Sequence, residues 1–343
     1  MSDRVLRSTL ERLVGGGSLS EDEASALLTA LTDETLPAAM AGALLTALRM
    51  KGVTADELRG FARGMRAVAR RPTLPDVGDT LDVVGTGGDG SNTFNLSTGA
   101  ALLAVAAGAR VVKHGNRSIS SRSGSADLLE HLGLPMPLDE KAAGRCLSAS
   151  GFAFLFAPHY HPAMKSIAPV RAALGIRTVF NLLGPLTNPA EPPFHVIGAY
   201  TQEAAKLMAD ALSGLPIRRA FVVHGEPGWD EPTPAGPFSL YDVRPGRVEA
   251  STRQAADYGL PTCAPDDLKG GDAAHNAAAL KAVLLGVDRG PHRDALLMGA
   301  SLALEVTGLS ADPRAGVARA AQAIDSGAAR QLLESLARFS TSP

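Results

Sequence analysis

The sequence predicts an α/β protein with a mostly parallel central sheet and a small, discontinuous helical domain. Residues 3 to about 70 carry helical periodicity and no strand signal. After Pro72 and Pro75, short apolar runs alternate with helical stretches, a pattern typical of a parallel sheet with helices on its faces. With 343 residues and 45% hydrophobic content, the chain is long enough for one large domain or two smaller ones.

The N-terminal segment is predicted to form several helices. Ser20 with Glu23, and Thr54 with Glu57, have the spacing of capping boxes, in which two side chains bond to free backbone amides at a helix start. Pro37 suits the first turn of another helix. Leucines recur at helical spacing through this segment, so each helix has an apolar face to bury.

The later part of the chain supplies the predicted strands, at residues 81–84, 110–112, 152–156, 195–200 and 220–224. A second strandless segment, residues 164–183, interrupts them. We expect this segment to fold back onto the N-terminal helices. The predicted small helical domain is therefore residues 1–72 with 164–188, and the predicted α/β domain is residues 73–163 with 189–343.

Two loops rich in glycine and hydroxyl groups follow the first two predicted strands. Glycines let backbone amides turn toward a ligand, and the helix expected to open at residues 95–98 adds unpaired amides. The first loop contains Gly85, Gly87, Gly88 and Gly90. The second contributes Lys113, His114, Arg117, Arg122, Ser118, Ser120, Ser121, Ser123 and Ser125. This donor capacity predicts an anion site larger than one phosphate, such as a site for a phosphosugar that bears a pyrophosphate.

A dinucleotide site is the alternative for the first loop. Gly85, Gly87 and Gly90 match the G-x-G-x-x-G pattern after a strand. That pattern requires the helix to open within the glycine run and an acid at the tip of the second strand. Here the helix is delayed past Thr93, and the second strand ends in basic residues beginning at Lys113. The dinucleotide alternative therefore stays open only for an NADP-type site, in which the tip of the second strand is cationic.

Asp230 and Glu231 follow the last predicted strand and predict a magnesium site. Magnesium prefers oxygen ligands and usually binds through a few carboxylates together with substrate phosphates. Ser97 or Asp89 of the first loop could share the ion. A solvated acidic turn is the alternative interpretation of this pair.

Arg171 and a second arginine, Arg177, lie on one short predicted helical segment. One guanidinium could hold a substrate carboxylate through two hydrogen bonds, while the other pairs structurally. Purely structural roles for both arginines are the alternative interpretation.

Composition excludes several classes of protein. The formal net charge of -2 argues against a nucleic-acid partner, which would require a basic face. Cys146 and Cys263 form neither a disulfide framework nor a zinc spacing, which indicates a reducing compartment. The N-terminal segment lacks an apolar signal core, and residues 99–109 are shorter than the roughly 20 residues that a bilayer span requires. We expect a cytoplasmic protein with no membrane partner.

Several long motifs carry a family resemblance. They are ALRMKGVTADELRGFARGMRAVA, DVVGTGGDGSNTFNLSTGAA, VVKHGNRSISSRSGSADLLEHLG, HPAMKSIAPVRAALGIRTVFNLLGPLTNPA, GWDE and LKGGDAAHNAAALKAVLLG. On these motifs the chain resembles the anthranilate phosphoribosyltransferase family, from the N-terminal helices to near the C-terminus. The resemblance implies a nucleoside phosphorylase or phosphoribosyltransferase-like fold, a magnesium-dependent reaction in tryptophan biosynthesis, and a homodimer associating through its helical domain and closing over its substrates.

The resemblance also implies roles for individual residues. It assigns phosphoribosyl pyrophosphate to Gly85, Gly88, Asp89, Thr93, Asn95, Leu96, Ser97, Thr98, Lys113, His114, Gly115, Asn116, Arg117, Ser118, Ile119, Ser120, Ser121 and Ser125. It assigns anthranilate to Gly85, Asn116 and Arg171, and magnesium to Ser97, Asp230 and Glu231. No residue is expected to act as a general base, because the aniline nitrogen is largely neutral and already nucleophilic. Lys113 and magnesium are expected to stabilise the leaving group.

Two departures and two alternatives accompany the resemblance. Trp229 stands where a smaller aliphatic residue is expected, and Gly299 stands where the family often has asparagine. A pyrimidine nucleoside phosphorylase would share the architecture, but it would bind a single phosphate and would not need the acid pair. A non-catalytic ligand- or nucleic-acid-binding relative would show a basic groove together with loss of the acid pair or of Arg171, and the sequence shows neither.

Overall fold

The computed structural model describes residues 1–76, 78–91, 93–118, 122–226 and 228–340. Its helices α1 to α15 are Asp3–Val14, Glu21–Leu31, Ala38–Lys51, Ala55–Ala67, Leu96–Ala106, Ser125–His131, Glu140–Ser150, Ala157–Tyr160, Met164–Leu174, Phe180–Leu183, Gln202–Leu212, Ala273–Leu284, Pro291–Val306, Pro313–Asp325 and Ala328–Arg338. Its strands β1 to β7 are Thr80–Gly85, Arg110–Gly115, Phe152–Phe156, Phe194–Gly198, Arg219–Gly225, Phe238–Arg244 and Arg247–Arg253. Short 3-10 helices lie at Gly184–Leu186, Ala255–Tyr258 and Pro265–Leu268.

The strands form a seven-stranded sheet in the order β3-β2-β1-β4-β5-β6-β7. Strands β1 to β5 are all paired in parallel, whereas β6 is antiparallel to both of its neighbours. The predicted fold class, a mostly parallel sheet with a helical segment before it, is confirmed. The β6–β7 hairpin was not predicted, because β7 is largely exposed and has no apolar run.

The N-terminal helices start as the sequence predicts. The Ser20 hydroxyl accepts from the Glu23 amide, and the Glu23 carboxylate accepts from the Ser20 amide. Thr54 and Glu57 form the same reciprocal pair at the start of α4. Each pair satisfies two backbone donors that a helix start otherwise leaves free. None of the helices in the described ranges is long and apolar enough to cross a membrane.

The segment after β3 packs onto the N-terminal helices. Helix α9 contacts α3, and α10 contacts α4. The apolar core of these helices also includes Ile197, Ala220 and Val222, which lie on β4 and β5. The helical segment and one face of the sheet therefore share a single core. The predicted division into two domains at residues 72, 163 and 188 stays a prediction.

The strand order places the connecting loops. Strand β1 lies between β2 and β4, so the chain leaves β1 toward one side of the sheet and returns on the other. Ligands of open α/β sheets bind at such a switch point, beyond the carboxyl ends of the strands. The loops after β1, β2, β4 and β5 meet there, because these strands are parallel.

Three buried histidines make the fold sensitive to acid. Burial lowers the pKa of His195 and of His114 to about 3, and that of His161 to about 4. The charge of Arg66 further lowers the pKa of His195. In the unfolded chain these side chains bind a proton near pH 6.5, whereas in the folded protein they bind it only at a lower pH.

We expect the contribution of these neutral histidines to the free energy of unfolding to be complete above pH 6.5. The free energy of unfolding should then fall as the pH drops from 6.5 toward 4. Each histidine contributes a slope of about 1.4 kcal/mol per pH unit while only the unfolded state binds its proton. Urea unfolding of wild type and His195→Gln at pH 7 and pH 5 measures this slope, with exposed His131→Gln as control. Equal pH dependence in all three proteins would contradict the assignment to His195.

Candidate active site

A cleft of about 480 Å³ lies beyond the carboxyl ends of β1 and β2. Its lining consists mainly of the two glycine- and hydroxyl-rich loops, the acid pair and two arginines. The lining residues are Val84, Gly85, Thr86, Gly87, Gly88, Asp89, Gly90, Ser91, Thr93, Asn95, Ser97, Lys113, His114, Gly115, Asn116, Arg117, Ser118, Ser123, Gly124, Ser125, Arg171, Arg177, Asn181, Asp230 and Glu231.

The structure brings most of the expected site residues together in this cleft. Leu96, Thr98 and Arg122 do not line it. The Leu96 side chain is buried in the apolar core, and the buried Thr98 hydroxyl donates to Ser125 Oγ at 3.1 Å. Both residues support the cleft from behind. The expected ligands Ile119, Ser120 and Ser121 lie outside the described residues.

The first loop has a backbone that requires glycine. Gly87, Gly88 and Gly90 have φ values of 66°, 73° and 77°, a left-handed region that strains residues with a Cβ. Asn95, with φ of 64°, ends the loop and caps helix α5. Its carboxamide accepts from Asn276 Nδ2 at 2.8 Å and donates to the Ser123 carbonyl at 3.0 Å.

The acid pair lies against this loop. Asp230 Oδ2 accepts from the Gly87 amide at 2.6 Å. Glu231 accepts from Thr93 Oγ1 at 2.6 Å and from the Ser97 amide at 3.0 Å. This close approach depends on glycines in two strands, because a Cβ at Gly85 or Gly198 would overlap Asp230.

Both acidic side chains are buried. Burial and the negative charges of Glu231 and Asp89 raise the pKa of Asp230 well above its ordinary value. Burial also raises the pKa of Glu231, to about 7, against the opposing hydrogen bond from Thr93. Carboxylates kept apart from water need a counter-charge. These oxygen donors fit a hard divalent cation such as Mg²⁺.

Within the described residues, no group of three or more histidine, cysteine, aspartate or glutamate side chains could hold a metal ion. An ion at Asp230 and Glu231 would therefore need other oxygen ligands. Magnesium commonly obtains these from water and from the phosphates of a substrate. The donor set suits a metal that arrives with, or is completed by, a phosphorylated ligand.

Lys113 is a buried cation of β2 on which the charges of the acid pair act. Its buried ammonium donates to the Val83 carbonyl and to Ser97 Oγ, the latter at 3.4 Å. Burial lowers the pKa of Lys113 to about 8, against the opposing effect of Asp82, so the side chain keeps its proton at neutral pH. The Asp82 carboxylate accepts from the His114 amide at 3.1 Å and thereby fixes the end of β2.

Arg117 contributes shape rather than free charge to the cleft. Its guanidinium donates to Asp127 at 2.8 Å and to Glu130 at 2.7 Å. The sequence-based expectation counted Arg117 among the cations of the second loop. In the structure two carboxylates of the following helix pair with this side chain, and its expected contact with phosphoribosyl pyrophosphate stays a prediction.

The two arginines have different surroundings. Arg171 lies on α9 as predicted, but Arg177 lies beyond the end of α9, so its predicted place on the same helix is wrong. The Arg171 guanidinium lies 5.1 Å from the centre of the Phe180 ring, and across the described ranges it has no hydrogen-bond or ion-pair partner. Burial lowers its pKa from the ordinary value. Arg177 instead donates to the Gly88 carbonyl and stacks on Tyr200. Arg171 is therefore the arginine available to an incoming carboxylate.

Sequence reasoning missed some lining residues, including Thr86 and Ser91. Thr86 Oγ1 lies 3.4 Å from Asp230 Oδ2, and Ser91 donates to Asp89 at 3.0 Å. The hydroxyl-rich composition of the loops was the available signal for both residues.

Comparison with known proteins identifies the family. Residues 77–330 match the model of the glycosyl transferase family a/b domain, and residues 7–69 match the helical bundle domain of the same family. The anthranilate phosphoribosyltransferase of Desulforudis audaxviator is 47% identical over 336 residues, which cover 98% of this chain and 96% of the relative. The Solibacter usitatus enzyme of the same name is 49% identical, over 97% and 98% of the two chains. The chain belongs to the anthranilate phosphoribosyltransferase family.

Solved structures agree with this membership. The crystal structure of anthranilate phosphoribosyltransferase from Thermus thermophilus has a TM-score of 0.90 and 41% identity, and the match covers 96% of this chain and 98% of that one. The Saccharomyces cerevisiae enzyme in complex with PRPP and Mg has a TM-score of 0.87 and 28% identity, over 98% and 97% of the chains. Membership of this family supports neither of two alternatives from the sequence, a dinucleotide site in the first loop and a non-catalytic binding protein.

The two departures from the family pattern have structural settings. Trp229 is buried, and its carbonyl accepts from the Gly225 amide at 2.9 Å, so it closes the turn before the acid pair. At Gly299 a Cβ would crowd the Ala100 side chain, at 2.7 Å, where α13 packs on α5. Glycine at this position matches the close contact of the two helices.

Proposed function

We propose that the protein transfers the 5-phosphoribosyl group from phosphoribosyl pyrophosphate (PRPP) to the amine of anthranilate, giving N-(5-phosphoribosyl)anthranilate and pyrophosphate, in tryptophan biosynthesis. One observation carries the proposal. A single cleft combines a glycine-rich loop and a helix start with a buried acid pair and the Arg171 guanidinium. The chain is also 47% identical to the anthranilate phosphoribosyltransferase of Desulforudis audaxviator. These groups suit a polyphosphate donor, a divalent ion and a carboxylate-bearing acceptor.

The donor would lie along the two loops. The Gly87 and Ser97 amides already donate to the acid pair, so the donor would use other backbone amides of the first loop. The dipole of α5 favours negative charge there. Lys113 provides a buried positive charge beside Ser97. As the bond to C1 of the ribose breaks, charge grows on the departing pyrophosphate, and fixed donors in a site shielded from water stabilise it.

The acceptor would lie between Arg171 and Asn116. A guanidinium matches the geometry of a carboxylate, and Arg171 has no competing carboxylate in the described parts of the chain. The aniline nitrogen carries its own lone pair, so positioning against C1 supplies much of the rate without a strong base. His114 lies in the same cleft with its pKa lowered to about 3 by burial, so it stays neutral at physiological pH.

Ser97, Asp230 and Glu231 would hold magnesium. The ion would supply positive charge to the pyrophosphate that leaves. The Saccharomyces cerevisiae relative was solved in complex with PRPP and Mg, which supports this cofactor. The buried carboxylates also hold the first loop in place through Gly87 and Thr93, so the same side chains serve the ion and the loop.

The proposed activity is tested by following the loss of anthranilate fluorescence in the presence of PRPP and magnesium. We expect consumption that requires both additions and releases pyrophosphate. Phosphate-dependent cleavage of thymidine or uridine, without anthranilate consumption, would instead identify a nucleoside phosphorylase.

We further propose that the protein forms a homodimer through its N-terminal helices. Val5, Val14 and Met50 are large apolar side chains that these helices leave exposed, and Ile176 is exposed just after α9. Apolar surface of this kind is commonly covered by a symmetric partner.

We expect sedimentation velocity to show a dimer at micromolar concentration. Replacing Val14 and Met50 by glutamate should shift the protein toward monomer, because a charge on an interface must be desolvated. Val287→Glu, at an exposed apolar residue near the end of α12, is the matched control. A wild type that stays monomeric would contradict the interface without bearing on the chemistry.

Arg171→Ala should raise the KM for anthranilate strongly and leave that for PRPP nearly unchanged. Loss of a charge-assisted pair costs roughly 1.5 to 3 kcal/mol, which corresponds to about tenfold to a hundredfold. Steady-state kinetics with each substrate varied in turn measure the split. Arg171→Lys keeps the charge without the two-pronged geometry and should lie between. Unchanged anthranilate kinetics in a folded Ala variant would remove Arg171 from the acceptor site.

The double variant Asp230→Asn, Glu231→Gln should bind magnesium weakly and turn over slowly, because it keeps the shape of the loop but removes two carboxylate ligands. Calorimetry with PRPP and magnesium reports binding, and initial rates over a magnesium titration report turnover. The KM for anthranilate should change least. Glu334→Gln, at an exposed position on α15, is the control. Magnesium curves identical to those of wild type would contradict the metal assignment.

A further inference from the structure

Arg177 connects the segment after α9 to the first glycine loop. It follows Gly175, which ends α9 with φ of 60°. Its Nη2 donates to the Gly88 carbonyl, and its guanidinium carbon lies 3.9 Å from the centre of the Tyr200 ring. An exposed arginine thus makes a charged hydrogen bond and a cation–π contact at once.

Tyr200 is itself attached to the loop. Its backbone amide donates to Thr86 Oγ1 at 3.1 Å, and the Thr86 amide donates to the Gly198 carbonyl at 3.0 Å. The start of the loop is therefore held directly by the last residue of β4 and by Tyr200. The middle of the loop, at Gly88, is held to the same residues through Arg177.

The middle of the loop needs an external contact of this kind. Gly87, Gly88 and Gly90 all have positive φ, and glycine loses more conformational freedom than any other residue when it is ordered. A trans peptide is planar, so a Gly88 carbonyl that faces Arg177 turns the Asp89 amide the opposite way. The Asp89 carboxylate accepts from the Asp230 amide at 3.1 Å, which carries this orientation on to the acid pair.

We propose that Arg177 is a positioning residue for the donor: it acts by holding the Gly88–Asp89 peptide in the orientation that receives the pyrophosphate. The kinetic consequence rests on the proposed transferase function, whereas the ordering of the loop does not. Arg171, six residues earlier in the same segment, is the residue proposed above to bind the acceptor. The two arginines of one motif thus divide the work between the two substrates.

Hydrogen exchange without any substrate tests the ordering of the loop. Arg177→Met keeps the side-chain stem and removes the donor, and we expect amide exchange of residues 85–91 to accelerate about tenfold, as loss of a charged hydrogen bond implies. Tyr200→Leu should act in the same direction by removing the ring beneath the guanidinium. Arg49→Met removes another exposed arginine, one that lines the neighbouring groove, and should leave the loop unchanged.

Kinetics test the positioning role. Arg177→Met should raise the KM for PRPP about tenfold and leave that for anthranilate within about twofold, and Arg177→Lys should recover part of the loss. Unchanged amide exchange of the loop in a folded Arg177→Met protein would overturn the inference about Arg177. Absence of transferase activity in the wild type would overturn only the proposed function, because the exchange experiment uses no substrate. Equal increases in both KM values would also overturn it. Arg177→Gln replaces the Met variant if that protein fails to fold.

Discussion

The hydrogen bonds that Asp230 and Glu231 accept from the first glycine loop are the constraint on which the site depends. They cross more than 130 residues of sequence and join the end of β5 to the loop after β1 and to the start of α5. Burial makes the charged form of both side chains costly, and the pKa of each rises accordingly. These buried carboxylates lie in the cleft, at the place proposed for a divalent ion and a polyanion, and perturbed pKa values are typical of functional sites.

Lys113 and Asp82 form a second buried charge system beneath the first. Burial raises the pKa of Asp82 to about 6, and the Lys113 ammonium works against that increase. Asn188 donates to the Asp82 carboxylate at 2.9 Å and to the Val112 carbonyl at 2.8 Å. A lysine that faces both an acid and the cleft therefore has a rigid setting, which is the preorganisation that stabilisation of a leaving group requires.

The sequence carried the fold class and most of the cleft, because apolar runs, glycine clusters and adjacent acids are local signals. The β6–β7 hairpin escaped, since β7 exposes most of its side chains; the turn at Pro245 and Gly246, with φ of 70° at the glycine, was the remaining clue. Spacing could not show that Arg117 is neutralised by Glu130, or that Arg177 rather than Arg171 contacts Gly88. Such contacts arise from tertiary packing, which a local pattern does not contain.

The core shared by the N-terminal helices and the sheet limits how the cleft can close. Leu28, Leu45 and Phe61 belong to the same apolar cluster as Ile197 and Val222. Swinging the helices away from the sheet would expose this cluster, at about 25 cal/mol for each Å² of apolar surface. Sliding keeps the surfaces in contact, so adjustment of α9 relative to β1 should occur by shear rather than by a wide hinge. Such a movement would carry Arg171, which lies on α9, along the mouth of the cleft in short steps.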